Sequence, residues 1–411
     1  MNLIRITILA IILFQCSNAA AENEMTDNNN SDTVIWNVKD KYGKIDAQTL
    51  QLAINNAISY RNENPEKSIL LELDEGTYYL NQQINIAGMN KQGTGWLIIQ
   101  GADNNLTELV DTEYTSDFTN TFEFDQPYRF KMKNLKITGE KITSSQGTIV
   151  AINRFTDSGN NGTFLDIDID EGYPNPNQLY EIETTKANKI RIFENPGADG
   201  VSHFLEGPNN DHYSNRWAFE GDFGKNGERN TRPILIDSTK NIWRFKLREK
   251  EIARNNGNIP FKVGQRVGIS SKSNRSNWAK LKNGGADFIA ENLTFLRLGR
   301  CKFRGAWKSI LFKNVKIVRP MVNGKISFYS TDAGPQFGHD ADGVNIENLI
   351  IENCDIRGTV DDGSAFQRIL SGYAKNNHWE DGGGVLVGTN TSKAFLLENN
   401  TYIHCPLEDE R

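Results

Sequence analysis

Three carboxylates in the C-terminal third have the types and spacing for acid–base chemistry. They are Asp342, in Gly338-His339-Asp340-Ala341-Asp342-Gly343, and the adjacent pair Asp361 and Asp362, in Thr359-Val360-Asp361-Asp362-Gly363. A protonated carboxyl can hand a proton to a leaving glycosidic oxygen while an ionised one activates water. Adjacent acids favour that division, because like charges in contact raise one pKa and keep a proton available near neutral pH. The pair lies 19 and 20 residues beyond Asp342. A period near 20 residues suits one coil of a parallel solenoid, in which neighbouring strands stack at about 4.7–4.9 Å. That spacing predicts Asp342 beside Asp361 and Asp362 on one face.

The elements between and around these acids read as short strands. Leu349-Ile350-Ile351 and Asn353-Cys354-Asp355-Ile356 set β-branched residues among polar ones. An Asn-apolar-x-apolar unit recurs at Asn134, Asn292, Asn314, Asn353 and Asn400. The step from Asn292 to Asn314 is 22 residues, one coil; the next steps, 39 and 47, read as two coils each, the second with a loop. Asn suits such a turn because it tolerates left-handed backbone and bonds its neighbours. Upstream, Asp46 is a helix N-cap, with Leu50, Ala53, Ile54, Ala57 and Ile58 on one face of the helix that follows. Strands follow over 68–80, with a turn at Glu75-Gly76.

The chain divides accordingly. Residues 1–21 are a signal peptide: Arg5, then an apolar stretch from Ile6 to Phe14, then small residues at 17–21. Residues 22–33 are a polar spacer. Residues 34–154 form the first part of a β-helix with its capping helix, 155–268 an inserted antiparallel domain, and 269–411 the remaining coils. Over 155–268 the Asn period disappears and short alternating strands with Gly, Asn and Pro links fit a small barrel or sandwich. The fold class is all-β.

Composition excludes several function classes. With 46 basic and 52 acidic residues, net charge −6, and no basic tract, nucleic acid is not a partner. No apolar run is long enough to span a membrane. Cys16, after Leu13-Phe14-Gln15, leaves a lipid-anchored outer-membrane form as the alternative to plain secretion or a periplasmic location. Cys301, Cys354 and Cys405 are too widely spaced for a disulfide framework, and Cys301 and Cys354 read as small core hydrophobes. A homo-oligomer stays open.

Other residues are weighed against plainer roles. Asp340 and His339 could bind sugar hydroxyls, or occupy an exposed loop. Trp307 and Trp379 flank the acids and could stack on a sugar ring, or fill the core. Arg368 is a further substrate-binding candidate. Glu380 and Asp381, before Gly382-Gly383-Gly384, could reach the cleft from a loop, but read first as a solvated loop; the Gly run lacks the Lys-Ser/Thr of a phosphate loop. For the Asp361–Asp362 pair, a Ca²⁺ ligand set or a simple turn are the alternatives to catalysis; no cofactor and no resident metal is expected.

The order of helix, strand and Gly76-Thr77-Tyr78 resembles the N-terminus of the pectate-lyase-like superfamily of right-handed parallel β-helices. Asp-Ala-Asp-Gly at 340–343, then Asn353-Cys354 and Asp361-Asp362, is similar to the polygalacturonases, although their Gly-His-Gly and Arg-x-Lys signatures are absent. The closer likeness is to the β-helical α-1,3-galactosidases, carried by Asp-Glu-Gly-Tyr-Pro at 170–174, Arg319-Pro320, Ala341-Asp342, Asn353-Cys354 and Asp361-Asp362. Gly363-Ser364-Ala365-Phe366 stands where that family has an Asn and a His. The resemblance implies a secreted glycoside hydrolase acting on α-linked galactose-type sugars, inverting, with Asp342, Asp361 and Asp362 as acid and base. The rivals are a polysaccharide lyase, using Arg357, Arg368 or Lys325, and a non-catalytic carbohydrate-binding solenoid.

Overall fold

The computed structural model describes residues 33–112, 120–142, 144–157, 160–176, 190–194, 217–219, 233–247, 259, 261–271, 277–298, 301–327, 333–338, 344–359 and 362–411. His339, Asp340, Asp342 and Asp361 lie outside the described residues, as do 1–21 and nearly all of the spacer.

The helix Ala47–Glu63 forms where the apolar spacing demands it. Asp46, in extended backbone, accepts the Thr49 N–H at 2.8 Å, satisfying one of the free donors of the first turn. Its buried stripe, Leu50, Ala53, Ile54, Ala57 and Ile58, joins one core with Ile69, Leu71, Ile84, Ile86 and Leu97 of the first strands.

Those strands begin three stacked parallel faces. The first runs through Val34–Asn37, Ile69–Glu72, Leu97–Gln100, Tyr128–Gly139, Ala286–Leu296, Trp307–Lys313, Ile346–Glu352, Gly372–Lys375 and Phe395–Glu398. The second runs through Ile84–Ile86, Asn120–Asp125, Asn277–Lys282, Cys301–Phe303, Pro335–Phe337, Ser364–Phe366, Val385–Val387 and Leu407–Asp409. The third starts with Gly76–Leu80 and Thr107–Asp111 and takes the C-terminal halves of Tyr128–Gly139 and Ala286–Leu296. It continues through Lys316–Ile317, Asp355–Arg357, His378–Glu380 and Thr401–Ile403.

Asparagines hold the corner between the first and third faces. Asn134, Asn292, Asn314 and Asn353 all have positive φ, from 51° to 58°. Asn292 Nδ2 donates to Asn134 Oδ1 at 3.1 Å and Asn314 Nδ2 to Asn292 Oδ1 at 2.9 Å. Two counts made from the sequence need correction. Lys316 pairs directly with Asp355, so the 39 residues from Asn314 to Asn353 are one coil with a long excursion, not two coils. The corner column then continues through Asn376 and Asn399, whereas Asn400 belongs with Asn377 one residue further on. Adjacent asparagines gave the sequence two indistinguishable choices.

Inward residues form a continuous aromatic stack. Phe303 and Phe337 lie 4.9 Å apart between ring centroids, Phe337 and Phe366 5.9 Å, and Trp379 and Tyr402 5.4 Å.

The strands Tyr128–Gly139 and Ala286–Leu296 are direct neighbours, with Phe130 opposite Phe288. Between them in sequence lies an antiparallel sheet of seven strands spanning Ser144–Ser271; the sequence placed the insert at 155–268. A barrel or sandwich was expected there. Among the described residues it is one sheet that does not close, with Trp217–Phe219 at one edge and Ile234–Asp237 at the other. Closure depends on strand stagger, which strand counting does not reveal. The turn Asp170–Pro174 ties the insert to the solenoid. Tyr173 packs in the insert core together with Val322 of the hairpin Met321–Val322/Lys325–Ile326, and Gly172 abuts the Asn323 side chain.

The asparagine corner generates a stability test. Asn292→Ala forfeits two hydrogen bonds and leaves in left-handed backbone a residue that tolerates it less well than Asn, for a loss of about 2–4 kcal/mol. Asn292→Gly keeps the backbone and loses about 1 kcal/mol less. Urea unfolding midpoints of the two variants check the order.

Candidate active site

Asp362 sits in the turn from the third-face strand Asp355–Arg357 to the second-face strand Ser364–Phe366. A column of glycines fixes that turn. The Gly334 N–H donates to the Asp362 carbonyl at 2.9 Å, and the Gly363 N–H to the Gly384 carbonyl at 2.6 Å. A Cβ on Gly334 would collide with the Gly363 carbonyl, and one on Gly363 would lie 2.7 Å from Cys405 Sγ. Two glycines of the Gly382-Gly383-Gly384 run have a local reason: a Cβ on Gly382 would lie 2.5 Å from Thr359 Oγ1, and Gly384 has a φ of 131°.

The Asp362 carboxylate is buried, and its Oδ2 accepts from Gln336 Nε2 at 3.1 Å. Gln336 alternates with inward-facing Pro335 and Phe337, so it points out of the second face, yet it is 1% exposed. Sequence reading missed it; its signal was a polar residue between two apolar ones in a three-residue strand. Beneath Asp362, burial pushes the Cys405 thiol up to about 12, and the Asp362 charge adds to that. Burial likewise pushes Cys354 up to about 12 and Cys301 well above its ordinary value. All three are free, buried thiols with no nucleophilic character near neutral pH.

A charged cluster crosses the neighbouring third face. Parallel register aligns Asp355, His378 and Thr401, and beside them Arg357, Glu380 and Ile403. Arg319, just after the strand Lys316–Ile317, pairs with Glu380 Oε1 at 3.3 Å and with Asp381. His404 Nδ1 lies 2.9 Å from Asp381 Oδ1. Arg357 bonds Asp355 at 2.7 Å and Glu380 at 3.1 Å, and His378 Nε2 lies 3.0 Å from Glu380 Oε2. Asp381, read from sequence as solvated, is 4% exposed. What sequence could not show is that Arg319 reaches it from an earlier coil. Burial pushes Glu380 up, but the His378 hydrogen bond and the Arg319 and Arg357 charges outweigh it, leaving Glu380 below its ordinary value of 4.5.

Of the other candidates, Arg368 is half-buried at the opposite end of Ser364–Phe366 from Asp362, and its carbonyl accepts the Ile346 N–H at 3.0 Å. Trp307 and Trp379 are corrected: at 1% and 0% exposure neither ring can stack on a sugar. Both occupy inward positions. Trp379 Nε1 donates to Ser364 Oγ at 3.0 Å, and Trp307 Nε1 to the Arg304 carbonyl at 3.0 Å. Among the described residues no group of three or more His, Cys, Asp or Glu is placed to hold a metal ion, and no helix is long and apolar enough to cross a membrane.

No protein-family model matches the chain. No curated protein matches it either. Among solved structures, it is similar to a putative glycosyl hydrolase from Parabacteroides merdae, with a TM-score of 0.37, 8% identity, and coverage of 90% of this chain and 96% of that one. It is also similar to the A-module of the mannuronan C-5 epimerase AlgE4 from Azotobacter vinelandii, with a TM-score of 0.19, 10% identity, and coverage of 92% and 98%. Likenesses at those scores carry no argument about activity.

The charged cluster yields two outcomes. Arg319→Met strands Asp381 beside His404 alone and costs about 3 kcal/mol in chemical denaturation at neutral pH. Glu380 has a depressed folded pKa, so its stabilisation is present above 4.5 and is lost as pH falls through the folded value. Glu380→Gln therefore flattens the acid side of the stability–pH curve, read from denaturation midpoints between about pH 3 and pH 7.

Proposed function

We propose that this protein is a carbohydrate-active enzyme that hydrolyses glycosidic bonds, with Asp362, Asp361 and Asp342 as its acid–base set. The observation that carries the reading is the Asp362 carboxylate, buried, set by a glycine-packed turn and bonded by an amide. A carboxylate held that way is preorganised, as proton transfer to or from a sugar oxygen or water requires. The resemblance supplies the finer assignment: α-linked galactose-type sugars, inversion, and a secreted or periplasmic enzyme, with the Cys16-anchored outer-membrane form as a variant of it. His339, Asp340 and Arg368 belong to the proposed sugar contacts.

One observation weighs against the lyase rival. A lyase base must shed its proton, and the Asp355 hydrogen bond, with the Asp355 and Glu380 charges behind it, holds the Arg357 guanidinium above its ordinary value.

The test is a screen of galactans, carrageenans, pectins and α-galactosides for new reducing ends and for the ultraviolet absorbance of an unsaturated uronate. Reducing ends without absorbance, falling about 10²–10⁴-fold in Asp362→Asn, Asp361→Asn and Asp342→Asn, support hydrolysis. Absorbance moves the protein to the lyases. Sugar binding without turnover, unchanged in the three variants, moves it to the binding solenoids.

A further inference from the structure

The outer side of the second face carries one side chain per coil: Lys302, Gln336, Ala365, Leu386 and Glu408 stand in register. Gln336 is the buried amide in that column. Its Nε2 is spent on Asp362, while its Oε1, also buried, has no hydrogen-bond partner among the described residues. Buried amides normally satisfy both ends, so a half-used one at a carboxylate points to a role beyond packing. An amide N–H facing a carboxylate stabilises the charged form, and the same amide turned over would stabilise the protonated form.

We propose that Gln336 is a positioning residue that holds Asp362 as the carboxylate, the proton-accepting member of the set, and keeps its free carbonyl for the water or sugar hydroxyl that enters beside it. This deepens the hydrolase reading and rests on it. Other titratable groups stand around this contact. Cys405 beneath it is a thiol, Glu408 lies against Gly384 one coil on, and Asp361 adjoins it in sequence. Lys302 stands one coil before Gln336, and Arg319 is paired with Glu380 and Asp381.

The experiment titrates the Asp362 carboxyl directly, by carbon-detected NMR of aspartate-labelled full-length protein. Asp362→Asn assigns the signal, and wild type is compared with Gln336→Met. The pH profile of kcat/KM is measured beside it, on the glycan the screen identifies. Loss of the amide donor is expected to move both the carboxyl titration and the acid limb of kcat/KM to higher pH, by roughly tenfold in proton concentration. Should Gln336→Met fail to fold, the isosteric Gln336→Glu replaces the donor with a second acid and moves the titration further the same way. A merely structural Gln336 would lower Tm and leave titration and limb in place, which overturns the proposal. A shift to lower pH overturns it too, since the amide would then have been favouring the protonated acid. A titration that moves while the limb stays removes the base role from Asp362 but leaves the hydrolase standing. Absence of turnover in wild type sinks the hydrolase reading and the base role with it, while the NMR arm still judges the contact.

Discussion

Backbone pairing between successive coils is the constraint on which the rest depends. Each strand residue meets its counterpart one coil away, so a side chain accepted on one coil restricts the same position on the next. That is why asparagine repeats at the left-handed corner, where Asn292 bonds Asn134 and Asn314 bonds Asn292. It is why phenylalanines stack from Phe303 through Phe337 to Phe366. It is also why Gly334, Gly363 and Gly384 form a column: a Cβ on Gly334 or Gly363 would collide with the neighbouring coil, and Gly384 takes a φ of 131° that side chains rarely adopt. Asp362 inherits its position from that column, because the backbone on its C-terminal side has almost no room to move.

Freedom returns only where the chain leaves the strands. The excursion between Lys316–Ile317 and Pro335–Phe337 does two jobs at once. It sends Arg319 to Glu380 and Asp381, and it lends Val322 to the core of the inserted sheet. The insert therefore packs against the same excursion that neutralises a buried acid, so its Asp170–Pro174 turn bears on the geometry of the third face. Within that turn, Asp170 is bonded by Arg266 and Gln146, which fixes it to the insert's own sheet.

Much of this was legible in sequence, for identifiable reasons. The helix Ala47–Glu63 announced itself because a capping Asp and an apolar stripe at helical spacing are local signals. The asparagine repeat announced the coils because one turn position imposes one residue type. Coil length was not legible: the 19-residue offset between Asp342 and Asp361 suggested one coil, whereas Leu349 pairs with Gly372 at 23 and Gln336 with Ala365 at 29. Pairing register is a long-range property, and loops of any length can sit between paired strands. The same limit explains Trp307 and Trp379. In strands this short the inward and outward faces differ by one residue, so a tryptophan reads equally well as platform or core. Gln336 left only a weak trace in the sequence, because its meaning lies in a contact with a residue 26 positions away.

Two acids near the same edge of the solenoid illustrate how burial sorts roles. Asp381 is enclosed by partners: Arg319 ion-pairs with it and His404 bonds it, so its charge is matched within the protein and leaves little for a substrate. A carboxylate compensated that fully is a structural tie, since a proton taken from a ligand would have to break an ion pair first. Asp362 is as buried, and a neutral amide donates to it, which supports a negative charge. A neutral donor leaves the carboxylate able to accept a proton at modest cost, which is the property acid–base catalysis uses. Arg319 faces Asp381 and an amide donates to Asp362, so the two buried acids differ in the kind of group each is given rather than in the depth of burial.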